Sequence, residues 1–143
     1  MSYVRIWVHA VWGTKSREPH LTREIRPKVI HHIRENAKHK EIYIDRLNGS
    51  NDHLHCLIGL NADMSIAKVI QLLKGESAHW INAEGITRTK FEWADEYFAV
   101  SVSESMLENV RAYIDNQEDH HKKTTFTEEY EEFIRKYGFE RHG

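Results

Sequence analysis

The sequence is short of the features that define several common classes of protein. It holds a single cysteine, Cys56, which excludes an internal disulfide and a zinc site built from several cysteines. It has no linker rich in proline or glycine, and no apolar run approaches the roughly 18 residues that a membrane helix needs. Arg5 and His9 interrupt the apolar residues near the N-terminus, so we expect no signal peptide there. These features predict a single cytoplasmic domain over residues 1–143.

Charge of neither sign predominates. The chain carries 20 lysines and arginines against 22 aspartates and glutamates, a formal net charge of −2. It therefore lacks the overall basic excess of a protein that coats nucleic acid passively. Basic residues are nevertheless frequent in the first third of the chain, and acidic residues cluster near its end. Contact with a polyanion would have to be made by part of the surface.

The periodicity of the apolar residues predicts an α+β fold. Alternating or β-branched runs predict strands, and apolar residues spaced by three or four predict helices. Strands are expected over residues 3–13, 41–48, 53–60 and 91–102, and helices over 22–38, 65–83 and 105–117. A last amphipathic helix would carry Tyr130 and Phe133. The order β-α-β-β-α-β predicts a ferredoxin-like (RRM-like) antiparallel sheet with helices on one face, followed by C-terminal helices.

Two histidines open the third predicted strand, in Asp52-His53-Leu54-His55. Side chains alternate between the faces of a strand, so His53 and His55 point the same way and Leu54 points to the opposite layer. Two imidazoles in this arrangement can chelate a metal ion. They could equally be ordinary strand-end histidines in a chain that has 11 of them. We interpret Asp52 as a turn residue and His9, on the first strand, as a packing histidine.

Tyr113 and Gln117 stand four residues apart on the third predicted helix, and therefore share a face. The stripe expected to pack this helix on the sheet is Leu107, Val110 and Ile114, and the tyrosine and glutamine lie to one side of it. A tyrosine in this position is usually half-buried packing, and such a glutamine is usually solvated. The spacing alone does not separate these roles from a chemical one.

Taken together, His53-Leu54-His55 and Tyr113-x-x-x-Gln117 resemble the HUH family of single-strand DNA nucleases, in which U is a hydrophobic residue. More narrowly, they are similar to the single-tyrosine transposases of short bacterial insertion sequences. Other segments that look like this family's recurring motifs are Val11-Trp12-Gly13-Thr14-Lys15-x-Arg17, Leu73-Lys74-Gly75 and Phe126-x-Glu128-Glu129-Tyr130. Their order and spacing carry the resemblance over nearly the whole chain.

The resemblance implies a metal-dependent enzyme whose nucleophile is Tyr113. His53, His55 and the amide oxygen of Gln117 would bind one divalent cation per active site, Mg²⁺ or Mn²⁺. The imidazoles by themselves would suit zinc as well as manganese. Three neutral ligands would leave the charge of the cation for the scissile phosphate. Attack by the tyrosine would release a 3′-hydroxyl and leave a covalent 5′-phosphotyrosine, which conserves the ester for strand joining.

The same resemblance implies the partners. The substrate would be single-stranded DNA with hairpins near the ends of an insertion sequence. The protein would be a homodimer in which Tyr113 could serve the histidines of the partner subunit. Lys15, Arg17 and Lys74 are the predicted phosphate contacts, although each could equally be an ordinary surface cation.

Two other functions stay open at this point. A domesticated relative that cuts single strands at repeats, without moving its own gene, would have identical active residues. A non-catalytic ferredoxin-like module that binds RNA or DNA would instead need aromatic platforms on its central strands. The central strand here shows His53, His55 and Cys56 and no aromatic residue, which argues against that module.

Overall fold

The computed structural model describes residues 3–117 and Glu128. Its elements, in chain order, are β1 (Ile6–Gly13), α1 (Arg26–His39), β2 (Tyr43–Gly49), β3 (His53–Leu60), α2 (Ile66–Ala83), β4 (Phe98–Val102) and α3 (Leu107–Asp115). Short 3-10 turns occupy Lys15–Arg17 and Glu104–Met106. The strands form a four-stranded antiparallel sheet in the order β2-β3-β1-β4. The predicted α+β fold is confirmed.

One face of the sheet packs against α1 and α2. Because side chains alternate along each strand, Trp12 from β1 and Leu54 and Cys56 from β3 point into this layer. The helices supply apolar side chains spaced by three or four residues, which include Val29, Ile33, Ala37, Val69, Ile70 and Leu73. Burial raises the pKa of the Cys56 thiol, as expected for a small core residue.

The opposite face of the sheet receives α3. Leu107 and Ile114 on this helix form a second buried cluster with Leu57 of β3, and Val110 packs against it. The predicted apolar stripe of the third helix is therefore confirmed. His53 and His55 belong to the same face of the sheet, because they alternate with the core residues Leu54 and Cys56.

The predicted fourth strand is wrong over its first half, because β4 begins only at Phe98. Phe91 and Trp93 are buried in an irregular segment, with their rings 4.7 Å apart and edge to face. The backbone of Phe91 donates a hydrogen bond to the side-chain oxygen of Asn82 at 2.8 Å, and its carbonyl accepts one from the Asn82 amide at 2.9 Å. A side chain of α2 thus anchors the backbone at Phe91, and Trp93 forms an isolated antiparallel bridge with Thr14.

The ends of two helices also differ from expectation. Pro27 lies in the first turn of α1, so the helix begins at Arg26 and not at Thr22. The segment Ser105-Met106-Leu107-Glu108 has the pattern of a capping box, but the capping role that this pattern predicts for Ser105 is wrong. Its hydroxyl lies 3.0 Å from that of Ser103, and in the described chain no side chain caps α3.

Among the described residues, no helix combines the length and the apolar character that a membrane span requires. The sequence also predicts a link rich in histidine and lysine over residues 118–125. This link and the predicted last helix lie outside the described residues, apart from Glu128.

Candidate active site

The two histidines of the motif lie side by side on β3, on the face of the sheet that α3 covers. Both side chains are fully buried, and their ring centroids are 5.1 Å apart. In the pairing of β3 with β1, Gly13 stands opposite His53 and Val11 stands opposite His55. The hairpin turn before β3 and the strand on either side therefore hold both imidazoles on rigid backbone.

Each of the two imidazoles contacts a second polar side chain through its Nδ1 atom. Asp52 Oδ1 lies 2.8 Å from Nδ1 of His53, and Nε2 of His9 lies 2.9 Å from Nδ1 of His55. With Nδ1 engaged in this way, Nε2 would be the nitrogen that binds a metal. A carboxylate behind a histidine is a frequent arrangement at protein metal sites, where it fixes the tautomer and the ring orientation.

Both of these supporting residues were interpreted differently from the sequence. The sequence predicts only a turn role for Asp52, yet its carboxylate reaches the neighbouring imidazole. Its position directly before the His53 motif was a signal that could have suggested this contact. His9 is buried, as a packing histidine should be, and it also meets His55 across the β1–β3 pairing. That contact depends on strand register, which the local sequence does not reveal.

Tyr113 is brought to the histidines of its own chain by α3. Its ring centroid lies 5.4 Å from that of His55 and 6.1 Å from that of His9, with the planes nearly perpendicular. The tyrosine is half-buried at the edge of the cluster formed by Leu57 and Ile114. Because the ring packs against its neighbours, the phenol hydroxyl of Tyr113 is held in one position.

Gln117 follows α3 and is fully buried. Its side-chain amide donates a hydrogen bond to the backbone carbonyl of Tyr113 at 3.3 Å, so its amide oxygen is the atom that could bind a cation. Within residues 3–117 and Glu128, no three His, Cys, Asp or Glu side chains are grouped to hold a metal ion. Gln117 stays the predicted third protein ligand beside His53 and His55. Imidazole nitrogens suit Zn²⁺ and other transition metals, and an amide oxygen suits Mg²⁺ or Mn²⁺, so the identity of a metal at this site stays a prediction.

The three cations predicted to contact phosphate lie in different settings. Lys15 forms an ion pair with Glu92, with the two charged atoms 3.1 Å apart. Arg17 lines a cavity of about 170 Å³ that Phe98 also borders. The ammonium of Lys74 donates to the backbone carbonyls of Ala94 and Asp95 at 2.6 and 3.3 Å, and burial lowers its pKa. Lys74 therefore anchors the segment that precedes β4, and contact of the three with DNA stays a prediction.

Residues 2–117 match the profile of the family described as IS200-like transposases. The chain belongs to this family. A comparison with curated proteins finds no match. This assignment confirms the predicted transposase family and makes the chain an enzyme that acts on DNA.

Solved structures agree with the family assignment. The transposase resembles the crystal structure of a candidate transposase from Deinococcus radiodurans R1, with 26% sequence identity and a TM-score of 0.66. That match covers 82% of this chain and 95% of the other. A REP-associated tyrosine transposase bound to a REP hairpin has the same fold, with 15% identity and a TM-score of 0.64. This second match covers 85% of this chain and 72% of the other.

Proposed function

We propose that this transposase cleaves and rejoins single-stranded DNA through a covalent link to Tyr113, with a divalent cation held by His53, His55 and Gln117. The observation that supports this most directly is the edge contact of the Tyr113 ring with His55, at a centroid distance of 5.4 Å. A nucleophile and a candidate metal ligand thus meet on one face of the sheet.

Cleavage would proceed by attack of the Tyr113 phenol oxygen on the scissile phosphorus. The phenol loses its proton to solvent, the bond between phosphorus and the 3′ oxygen breaks, and that oxygen takes up a proton. The product is a 5′-phosphotyrosine and a free 3′-hydroxyl, and attack by a 3′-hydroxyl in the reverse direction rejoins DNA. A bound divalent cation would supply positive charge at the phosphate. The same charge would favour ionisation of a phenol whose ordinary pKa is about 10.

Asp52 and His9 would position the imidazoles for this chemistry. If Nδ1–H of His53 donates to the Asp52 carboxylate, the lone pair of its Nε2 is directed away from the turn. If Nδ1–H of His55 likewise donates to Nε2 of His9, both ligands present the same nitrogen. Two rings held by hydrogen bonds on a buried strand need little rearrangement when a cation binds.

The family and the neighbouring structure that carries a REP hairpin support a proposal for the substrate class. We infer that this chain acts on single-stranded DNA with hairpins, either at the ends of an insertion sequence or at dispersed repeats. Excision of a segment needs two cuts, and a homodimer would provide the second tyrosine. The contact between Tyr113 and His55 within one chain is compatible with a complete site in each subunit.

The test is capture of a covalent adduct. Hairpin DNA labelled at its 3′ end is incubated with the protein and Mn²⁺, and the label that migrates with denatured protein is measured. We expect an adduct that Tyr113→Phe abolishes and that a chelator prevents. Tyr43→Phe is the matched control, since this exposed tyrosine lies on β2. An adduct of full yield in the Tyr113→Phe protein would show that the nucleophile has been wrongly assigned.

A further inference from the structure

The apolar contact that seats α3 on the sheet is small. Its buried members are Leu57 of β3 and Leu107 and Ile114 of α3, with a few half-buried neighbours. Apolar burial has no preferred direction, so a cluster of this size does little to fix the rotation or the position of a short helix along the sheet. Other contacts must decide where the side chains of α3 point.

The strongest polar contact of α3 joins Arg111 to Asp45 of β2. The guanidinium binds both carboxylate oxygens, with Nε 2.8 Å from Oδ1 and Nη2 2.9 Å from Oδ2. The Asp45 side chain is only 5% exposed, whereas a typical surface ion pair is open to water. Arg111 also holds the pKa of this carboxyl below its ordinary value. A bidentate pair of this kind fixes angle as well as distance.

The position of Asp45 results from an irregularity in β2. The register of β2 against β3 shifts between Ile44 and Arg46, so Asp45 is the extra residue of a β-bulge. Bulges redirect a side chain out of the regular alternation and occur next to active sites more often than elsewhere. Here the bulge brings a carboxylate of an edge strand to the helix that carries the tyrosine.

Two weaker contacts hold the C-terminal end of α3. Asn48 of β2 donates to the backbone carbonyl of Ile114 at 3.0 Å, and Arg46 lies 3.4 Å from the Asp115 carboxylate. Tyr113 therefore lies between two points of attachment to β2, one on each side of it in sequence. Rotation of α3 away from the sheet would break both.

We propose that the Asp45–Arg111 ion pair positions Tyr113 against His55 of its own chain. This inference rests on the proposed function of Tyr113, and it assigns both charged residues as positioning residues that do not touch the substrate. The pair acts through the orientation of α3, so its loss should displace the phenol from His55 while leaving the histidines in place. A purely structural pair would affect unfolding and leave the phenol where it is.

The first measurement needs neither metal nor DNA. 3-Fluorotyrosine is incorporated, and the fluorine resonance that disappears in Tyr113→Phe is assigned to Tyr113. We expect Arg111→Gln and Asp45→Asn to move this resonance towards the position of an exposed tyrosine. Glu108→Gln is the matched control, because Glu108 pairs with the same arginine from within α3. Arg111→Lys keeps the charge without the bidentate geometry and should give an intermediate shift, which covers the case in which Arg111→Gln fails to fold.

The second measurement is the rate of adduct formation in a single turnover at saturating DNA and Mn²⁺. A displaced nucleophile should lower this rate by about 10- to 100-fold, with the affinity for hairpin DNA unchanged. The proposal is overturned if Arg111→Gln and Asp45→Asn both show the same Tyr113 fluorine resonance and the same rate of adduct formation as the Glu108→Gln control. A different outcome is that the variants shift the resonance while the wild-type protein forms no adduct at Tyr113. That outcome would refute the proposed function but would still support the role of the ion pair in positioning α3.

Discussion

The two faces of the sheet hold their helices by different means. On the face that packs against α1 and α2, large apolar side chains such as Trp12, Leu54 and Ile70 are almost completely buried. On the face that receives α3, a small apolar cluster is supplemented by the Asp45–Arg111 ion pair and by buried histidines. The same strands supply both faces, because their side chains alternate.

This difference separates stability from positioning. Burial of apolar surface stabilises the fold and tolerates small shifts of the packed elements. Hydrogen bonds and bidentate ion pairs contribute less net free energy but demand defined distances and angles. We therefore expect substitutions on the face packed against α1 and α2 to change the free energy of unfolding, and substitutions on the opposite face to change metal binding and cleavage.

The largest effect on stability is expected from Leu54→Ala. Leu54 lies between the two histidines in sequence but points to the opposite face, where it is fully buried. Truncation of such a leucine should lower the free energy of unfolding by about 2–5 kcal/mol. Urea denaturation measures this change. The yield of adduct per folded molecule should stay near that of the wild type, and a specific loss of cleavage at unchanged stability would contradict the division between the faces.

A smaller effect, confined to the site, is expected from Asp52→Ala. Removal of the carboxylate behind His53 should weaken Mn²⁺ binding by about 10- to 100-fold, because the imidazole loses its fixed orientation. Isothermal titration measures the affinity, and Asp63→Ala in an exposed loop is the control. Equal Mn²⁺ affinity in the two variants would argue against a metal ligand at His53.

The smallest effect concerns the predicted phosphate contacts. Lys15→Ala and Arg17→Ala should each weaken hairpin binding. In a plot of log K against the logarithm of the salt concentration, each should also make the slope less steep by about 1, because one phosphate contact is lost. Lys38→Ala is the control, because this exposed lysine lies on α1, on the face of the sheet opposite to the one that carries α3. Lys74→Met tests whether the anchored ammonium also reaches DNA. A slope unchanged by all three site variants would remove them from the DNA interface.

Local patterns predicted most of the elements correctly. The bounds of β3 and the start and end of α2 agree with the structure, because unbroken apolar periods and the Ser65 cap define them. Phe91 and Trp93 have the composition of a strand, so the local pattern wrongly predicts that the strand begins before β4. The backbone of Phe91 is instead held by Asn82, a residue of α2 that no local pattern links to it, and Trp93 pairs with Thr14 through an isolated bridge.

By itself, the sequence determined the order of the elements, the shared face of His53 and His55 and the family to which the chain belongs. These follow from alternation along one strand and from motif spacing, which are local properties. Only the tertiary structure decided that His9 supports His55, that a bulge brings Asp45 to Arg111 and that Tyr113 meets the histidines of its own chain. Each of these contacts joins residues far apart in the chain, and strand register and helix docking, which local sequence does not encode, determine whether they meet.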